Sequence, residues 1–238
     1  MKVTLITVAS LAIFAIGYLA TRFYSKPPIG LTEKKTTLWI EKKWNIYQVE
    51  EHLREKGINL AISTDYEGYL HHGKYVIKKE FPIYKIPALM KARFLSKHGA
   101  IDHKTLTLAS MVEKEMWDTS EASTIAGVFA NRLKKGMKLQ SDPTSIYGHY
   151  NKYMKRARRR ILRRDLKVPS PWNTYTIKGL PKTPICTPTA LAIHAAKNPK
   201  AHDFYYFVGK GGGKHYFSKT FKEHLKYNKL IQKNRGSK

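Results

Sequence analysis

The chain is short of two things that would otherwise bound its chemistry, cysteine and acid. Cys186 is the sole cysteine among 238 residues, so no intrachain disulfide can form and thiolates cannot build a zinc site. Asp and Glu number 17 against 44 Lys and Arg, so paired-carboxylate chemistry has few candidates. The resulting formal charge of +27 sets up a field that attracts anions. Nucleic acid, anionic lipid and anionic polymer all answer to such a field, and charge by itself does not choose among them. A nucleotide phosphate loop is missing too: GKGGG at residues 209 to 213 has neither the Walker spacing nor a following helix. No zinc finger, helix-turn-helix or RNA-binding aromatic motif accompanies the basic residues, so nucleic acid is not the expected partner.

Long uncharged runs are scarce as well. One stands out, the 18 residues from Val3 to Ala20, close to the length that spans a bilayer, with Tyr18 and Tyr24 placed for its interfaces. It predicts a single transmembrane helix within residues 1–24, being long for a signal peptide and followed by no convincing A-x-A site. Arg22, Lys26, Lys34 and Lys35 follow it, and the positive-inside rule alone would leave the body in the cytoplasm. Pro27, Pro28 and Gly30 make residues 25–35 a tether.

Beyond the tether the reading is α+β. Thr36 to Ile40 predicts a strand. Asn45 offers an N-cap with Gln48 three residues on, Ile46, Val49 and Leu53 share a face, and Gly57 can close that helix. A second strand spans Lys74 to Lys78, and a weaker helical stretch spans Ala88 to Ser96. Helices follow over His103 to Met116 and Ser120 to Lys135, the latter with Ile125, Val128, Phe129 and Leu133 inward and Gly136 at its end. Thr187 or Thr189 can begin a small helix through Ala196. Residues 203–218 read as a hairpin, FYYFV and KHYFS. Thr220 and Glu223 form a capping box for a last helix through about Gln232, leaving NRGSK as a disordered tail.

The stretch from Leu106 to Tyr147 carries the chemistry. On a helix, Glu115 lies within ~60° of Leu108, Met111 and Val112, whereas Glu113 falls toward the polar side with Ser110. Glu115 is therefore the expected semi-buried carboxyl, its pKa raised by desolvation as a general acid near neutral pH requires. Glu113 is expected to be an ordinary solvated carboxylate. After the next helix, LQSDPT forms a polar turn in which Asp142 can cap a short helix opened by Pro143, leaving Gln140 to face a cleft. In SPWNTY, Asn173 and Tyr175 stand at alternate positions and would point the same way in an extended segment.

LASMVEKE, VFANRLKKGMKLQSDPTSIYG, SPWNTY, GLPKTPI, FYYFV and GGKHYFS, in this order over about residues 100 to 230, resemble the endolytic murein transglycosylases of the YceG-like family. The resemblance implies a lytic-transglycosylase-like catalytic domain over residues 98–238, preceded by a small, shortened LysM-like αβ subdomain over residues 36–97. It implies Glu115, the second Glu of EKE, as the catalytic acid, and it makes Asn131, Gln140, Asp142, Tyr147, Asn173, Tyr175 and His215 candidate substrate contacts. His215 has the alternative role of fixing the hairpin. Metal and cofactor are not needed. The implied partners are peptidoglycan strands, the membrane crossed once, and peptidoglycan synthases, with the body on the outer side of the cytoplasmic membrane. Trp172 replaces a more usual Tyr, and Lys182, Thr183, Cys186 and Thr189 depart from the family's Pro, Gly, Asn and Gly.

The same resemblance decides between acid mechanisms. A hydrolysing glycosidase pairs its acid with a second carboxylate; a lytic transglycosylase lets one group serve as acid and then base, closing the sugar on its own hydroxyl. The basic run Lys152 to Lys167, with nine Lys or Arg among its residues, reads as a decorated loop suited to lipid headgroups or anionic wall polymer. A catalytically degenerate, basic, membrane-anchored protein that binds wall or nucleic acid is the alternative.

Overall fold

The computed structural model describes residues 35–153 and 162–236. The predicted transmembrane run and half of the basic stretch, residues 154–161, lie outside the described residues. Among those described, no helix is long and apolar enough to cross a membrane.

The first layer is a two-stranded antiparallel ribbon with two helices. Strand β1 (Lys35–Ile40) pairs with β2 (Gly73–Lys78), Leu38 opposite Tyr75 and Thr36 opposite Ile77. Alternation places Leu38, Ile40, Tyr75 and Ile77 on the buried face. Helix α1 (Ile46–Glu55) starts with the expected capping box, in which the Asn45 side chain accepts from the Gln48 backbone and the Gln48 side chain accepts from the Asn45 backbone. It ends at Gly57, whose φ of 76° suits a residue without Cβ. Ile46, Val49 and Leu53 pack under the ribbon with Ile58, Leu70 and Met90. Helix α2 (Ile86–His98) leads out of this cluster, and its Phe94 belongs to the second core.

The second core surrounds α3 (His103–Glu115), which begins at Asp102, whose carboxylate accepts the Thr105 N–H at 2.9 Å. All eight residues from Leu106 to Glu113 are buried. That is more than an amphipathic stripe, because α3 is covered by α4 (Ala122–Lys134), α5 (Asp142–Tyr153) and α6 (Ala190–Lys197). Leu106, Met111 and Phe129 are each at or below 1% exposure, and burying such a side chain is worth ~1.5–3 kcal/mol. Helix α4 follows a 3-10 turn, Thr119–Glu121, and Gly136 closes it with φ 66°.

A hairpin covers one end of the helical core. Strands β3 (Tyr206–Gly211) and β4 (Lys214–Ser218) pair antiparallel with an irregularity between Gly209 and Gly211. Phe207 and Phe217 lean on the core, Phe207 edge-on to Phe129. The last helix, α7 (Phe221–Gly236), opens with the predicted Thr220 and Glu223 exchange. It runs on past Gln232, so Asn234, Arg235 and Gly236 continue the helix rather than forming a loose tail. Its contacts with both hairpin strands give it support beyond its sequence.

Candidate active site

Helix α3 delivers Glu115 as its final residue. Met116 turns extended, at φ −75° and ψ 124°, so the carboxyl emerges where the helix stops. That end carries the negative pole of the macrodipole, which disfavours an anion. The side chain lines a cleft of about 390 Å³ together with Arg132, Gln140, Asp142, Tyr175, Tyr206 and His215. Burial pushes its carboxyl up from the usual 4.5 to about 7; the Ser141 hydroxyl pulls the other way and the Asp142 charge adds to the rise. Ser141 Oγ donates to Glu115 Oε1 at 2.6 Å. A half-buried carboxyl poised near neutrality, with a hydroxyl aimed at it and open cleft beside it, can give a proton and take one back.

The loop Leu139 to Ser141 is built to hold this pair. Ser141 N donates to Thr174 Oγ1 at 3.0 Å and Gln140 N donates to the Thr174 carbonyl at 3.2 Å. Gln140 adopts φ 50°, a left-handed conformation that costs a side-chain-bearing residue on the order of 1 kcal/mol, so the surrounding bonds must enforce it. Arg132 does much of this from below: it is 8% exposed, and its Nη1 donates to the Leu139 carbonyl at 2.9 Å and the Lys138 carbonyl at 3.2 Å. Its Nε donates to the Tyr205 carbonyl at 2.6 Å, tying the loop to the hairpin.

Four expected contact residues therefore do face the cleft. Gln140, Asp142, Tyr175 and His215 line it. Tyr175 Oη donates to Asp142 Oδ1 at 2.6 Å, and the hydroxyl is strongly held protonated by burial and by that carboxylate. Asp142 is the first residue of α5 rather than a cap preceding it, so the capping position passes to Ser141. His215 takes the hairpin-fixing role, its Nδ1 lying 2.8 Å from Glu121 Oε2 in the turn before α4, and it also borders the cleft.

Three others do not reach it. Asn131 uses its amide to donate to the His202 carbonyl at 2.7 Å and the Phe204 carbonyl at 3.0 Å, clamping the strand that leads into the hairpin. Tyr147 is 2% exposed and donates to Glu67 Oε2 at 2.8 Å, deep between the two cores. Asn173, 1% exposed, donates to the Leu166 and Val168 carbonyls and accepts from Tyr175 N. SPWNTY is a succession of turns, not an extended segment, so alternate residues do not share a direction. Each of the three is a polar group satisfying buried backbone or a buried carboxylate.

Glu113 overturns its expectation as well. It is fully buried, accepting Thr189 N at 2.8 Å and Thr189 Oγ1 at 2.6 Å, with Lys43 Nζ 3.3 Å from its other oxygen. Helical periodicity assigned it a polar side, but that side is filled by α6 and by the turn after β1. Sequence reasoning also passed over Ser141, Arg132 and Glu67. The first two lie inside the quoted motifs, beside residues already singled out, whereas Glu67 has no local signal. Burial raises the Glu67 carboxyl to about 7, although it accepts Ile46 N, Gly68 N and the Tyr147 hydroxyl.

The departures in GLPKTPICTPT are accommodated. Thr183 Oγ1 accepts the indole N–H of Trp172 at 2.8 Å, so the two exchanges serve each other. Cys186 is buried, its thiol directed at the Ser110 carbonyl and pushed up to about 12 by burial.

The structure is thus an α+β protein whose central buried helix ends in one raised carboxyl, inside a cleft roofed by a hairpin. The YceG-like family profile matches residues 20–229, and the chain belongs to that family. It is 40% identical over 132 residues to a Bacillus subtilis (strain 168) protein named endolytic murein transglycosylase, a match over 56% of this chain and 35% of the relative. It is 32% identical over 169 residues to a protein of the same name from Streptococcus pneumoniae serotype 2, covering 66% and 31% of the two. The chain thus spans about a third of the length of these curated relatives. A crystal structure of a yceG-like protein from Listeria monocytogenes superposes with a TM-score of 0.68 at 28% identity, covering 80% of this chain and 75% of that one.

Proposed function

We propose that this chain is an endolytic peptidoglycan lytic transglycosylase. The observation that carries the reading is Glu115: one carboxyl raised to about 7, held by Ser141 and open to the cleft. Its curated relatives bear that activity in their names. The protonated carboxyl gives its proton to the oxygen joining MurNAc to GlcNAc as the C1–O bond breaks. The resulting carboxylate then takes the proton from the C6 hydroxyl of the same MurNAc, whose oxygen bonds to C1. Atoms balance without water, giving a 1,6-anhydro end on one fragment and a free GlcNAc hydroxyl on the other. Gln140, Tyr175 and His215 are placed to hold the sugar against the acid. Cleavage within strands would terminate their elongation, which suits an association with peptidoglycan synthases.

The setting belongs to the same proposal. Residues 1–24 would anchor the chain once in the cytoplasmic membrane, 25–35 would tether it, and the body would lie on the outer side. Residues 36–97 form a reduced LysM-like unit, similar in its strand and helix order but short, and residues 98–238 the catalytic unit. Alkaline extraction and protease shaving of spheroplasts test the topology; a body protected from protease and retained inside would remove the substrate from reach. Digestion of purified sacculi with product analysis by mass spectrometry tests the chemistry. Anhydro-ended fragments are expected, and reducing MurNAc ends would point instead to hydrolysis assisted by Asp142.

A further inference from the structure

The cleft has a neighbour. A groove of about 650 Å³ is lined by Lys138, Arg163, Leu166, Lys167, Tyr175 and Thr176. Tyr175 belongs to both walls, so the groove meets the acid cleft at that ring. The two differ in charge. On the cleft side stand the carboxyls of Glu115 and Asp142 together with the guanidinium of Arg132, whereas on the groove side stand two lysines and an arginine, with no acid among the described residues that line it. Lys138 Nζ donates to the Tyr175 carbonyl at 3.1 Å, holding one ammonium at the junction, while Arg163 and Lys167 are exposed to solvent. Arg163 precedes and Lys167 ends a 3-10 turn, Asp165–Lys167, which Asp165 fixes by accepting Leu162 N at 2.9 Å.

We propose that this groove binds the carboxylates of the peptides carried by the glycan strand, next to the bond that is cleaved. The inference rests on the transglycosylase reading for its substrate and adds to it a requirement that the strand be peptide-bearing. In peptidoglycan the sugar on whose C1 the bond breaks is also the one that bears the peptide, through its lactyl ether. With that sugar over Glu115, the peptide must leave past a wall of the cleft, and the Tyr175 wall is cationic. A guanidinium can take a carboxylate in two parallel hydrogen bonds and an ammonium can take another as a point charge. Pairs this exposed are individually weak and screened by salt, so the groove should supply selectivity rather than most of the affinity.

Binding is measured on the full chain carrying Glu115→Gln, in neutral detergent, by fluorescence anisotropy. The probes are labelled glycan strands with their peptides intact and the same strands stripped by an amidase. Intact strands should bind roughly 3- to 30-fold more tightly, as two or three screened ion pairs allow, and the ratio should shrink as salt rises. Arg163→Gln with Lys167→Gln should bring the ratio close to one. Lys78→Gln with Lys79→Gln, an exposed pair on the first layer that removes the same charge, should leave it in place. Equal binding of intact and stripped strands overturns the proposal, as does an equal loss in both double variants, which would mean a diffuse field. A double variant at 163 and 167 that weakens binding to anionic vesicles and leaves the strand ratio alone would make the groove a lipid contact and also overturn it. Because binding is read without cleavage, failure of the parent to make anhydro ends would strike the reaction and leave this result standing on its own.

Discussion

Lys43 and Glu113, 70 residues apart in the chain, meet with Lys43 Nζ 3.3 Å from the Glu113 carboxylate, and the same ammonium donates to the Glu113 and Met116 carbonyls at 3.2 and 3.3 Å. A cation from the turn after β1 thereby closes the C-terminus of the helix that presents Glu115, satisfying carbonyls the helix leaves unpaired. The turn holds its position at some cost, with Lys43 at φ 66°, and Lys114 Nζ returns a bond to the Lys43 carbonyl at 2.6 Å. The first layer is thus fastened directly to the last turn before the acid.

Breaking this fastening should destabilise the protein and displace the acid together. Lys43 is part exposed, so the Lys43→Ala cost is discounted for solvent to about 1–2 kcal/mol. Glu113→Ala strips a fully buried group of three partners and should cost more, ~3 kcal/mol. Urea denaturation of both variants reads this. Equal, negligible losses would show that the contact does not hold the layers together.

The contrast between Glu113 and Glu115 shows what was legible in the chain and what was not. Caps, turn glycines and strand alternation are local, and Asn45 with Gln48, Gly57, Gly136 and Thr220 with Glu223 all acted where the sequence placed them. Glu115 was legible because Leu108, Met111 and Val112, on its side of the helix, are core residues, and burial does raise its carboxyl. Glu113 was not, since what buries it comes from Lys43 and Thr189, far away in sequence. Asn131 and Tyr147 likewise bond partners more than 70 residues away, while Asn173 holds the carbonyls of Leu166 and Val168 close by in the chain. A polar residue inside a motif can hold the backbone that holds the site, and sequence does not distinguish that from touching the substrate.

The distinction can be measured. Gln140→Ala should lower kcat/KM while changing stability little, because its side chain lines the cleft and its loop is set by Thr174 and Arg132. Asn131→Ala orphans two carbonyls at the hairpin entrance and should cost ~1–3 kcal/mol, with activity falling chiefly through the folded fraction. Thermal melts beside initial rates on glycan separate the two. A stable Asn131→Ala with a raised KM would return Asn131 to the substrate.

Glu115→Gln should reduce anhydro product by about 10²- to 10⁴-fold, the range of general acid catalysis. It should also stabilise the fold, with a definite pH dependence. The folded carboxyl is raised from 4.5 to about 7, so the native state holds the proton longer than the unfolded chain, and the parent loses stability as pH rises between those values. Gln has nothing to ionise. At pH 8 the variant should exceed the parent by roughly 3 kcal/mol, with the gap closing at pH 4. A gap independent of pH would mean that Glu115 is not the desolvated acid described.

Ser141→Ala tests the poise of the acid most directly. The hydroxyl donates to Glu115 Oε1 at 2.6 Å and so favours the carboxylate, opposing the desolvation that dominates. Removing it should raise the Glu115 pKa further, by roughly one unit if the bond is worth the ~1.5 kcal/mol of a hydrogen bond to a charged group. The reaction begins from the protonated acid, so kcat/KM for the parent should fall as pH rises through about 7. In Ser141→Ala that alkaline limb should move upward. The rate at low pH should change less, because there both enzymes are protonated, although the carboxyl loses a partner that orients it. Thr174 and Thr144 hold the Ser141 backbone independently of its hydroxyl, so the loop should keep its path. An alkaline limb that stayed in place, or moved to lower pH, would mean that a group other than Glu115 sets the pH dependence of cleavage.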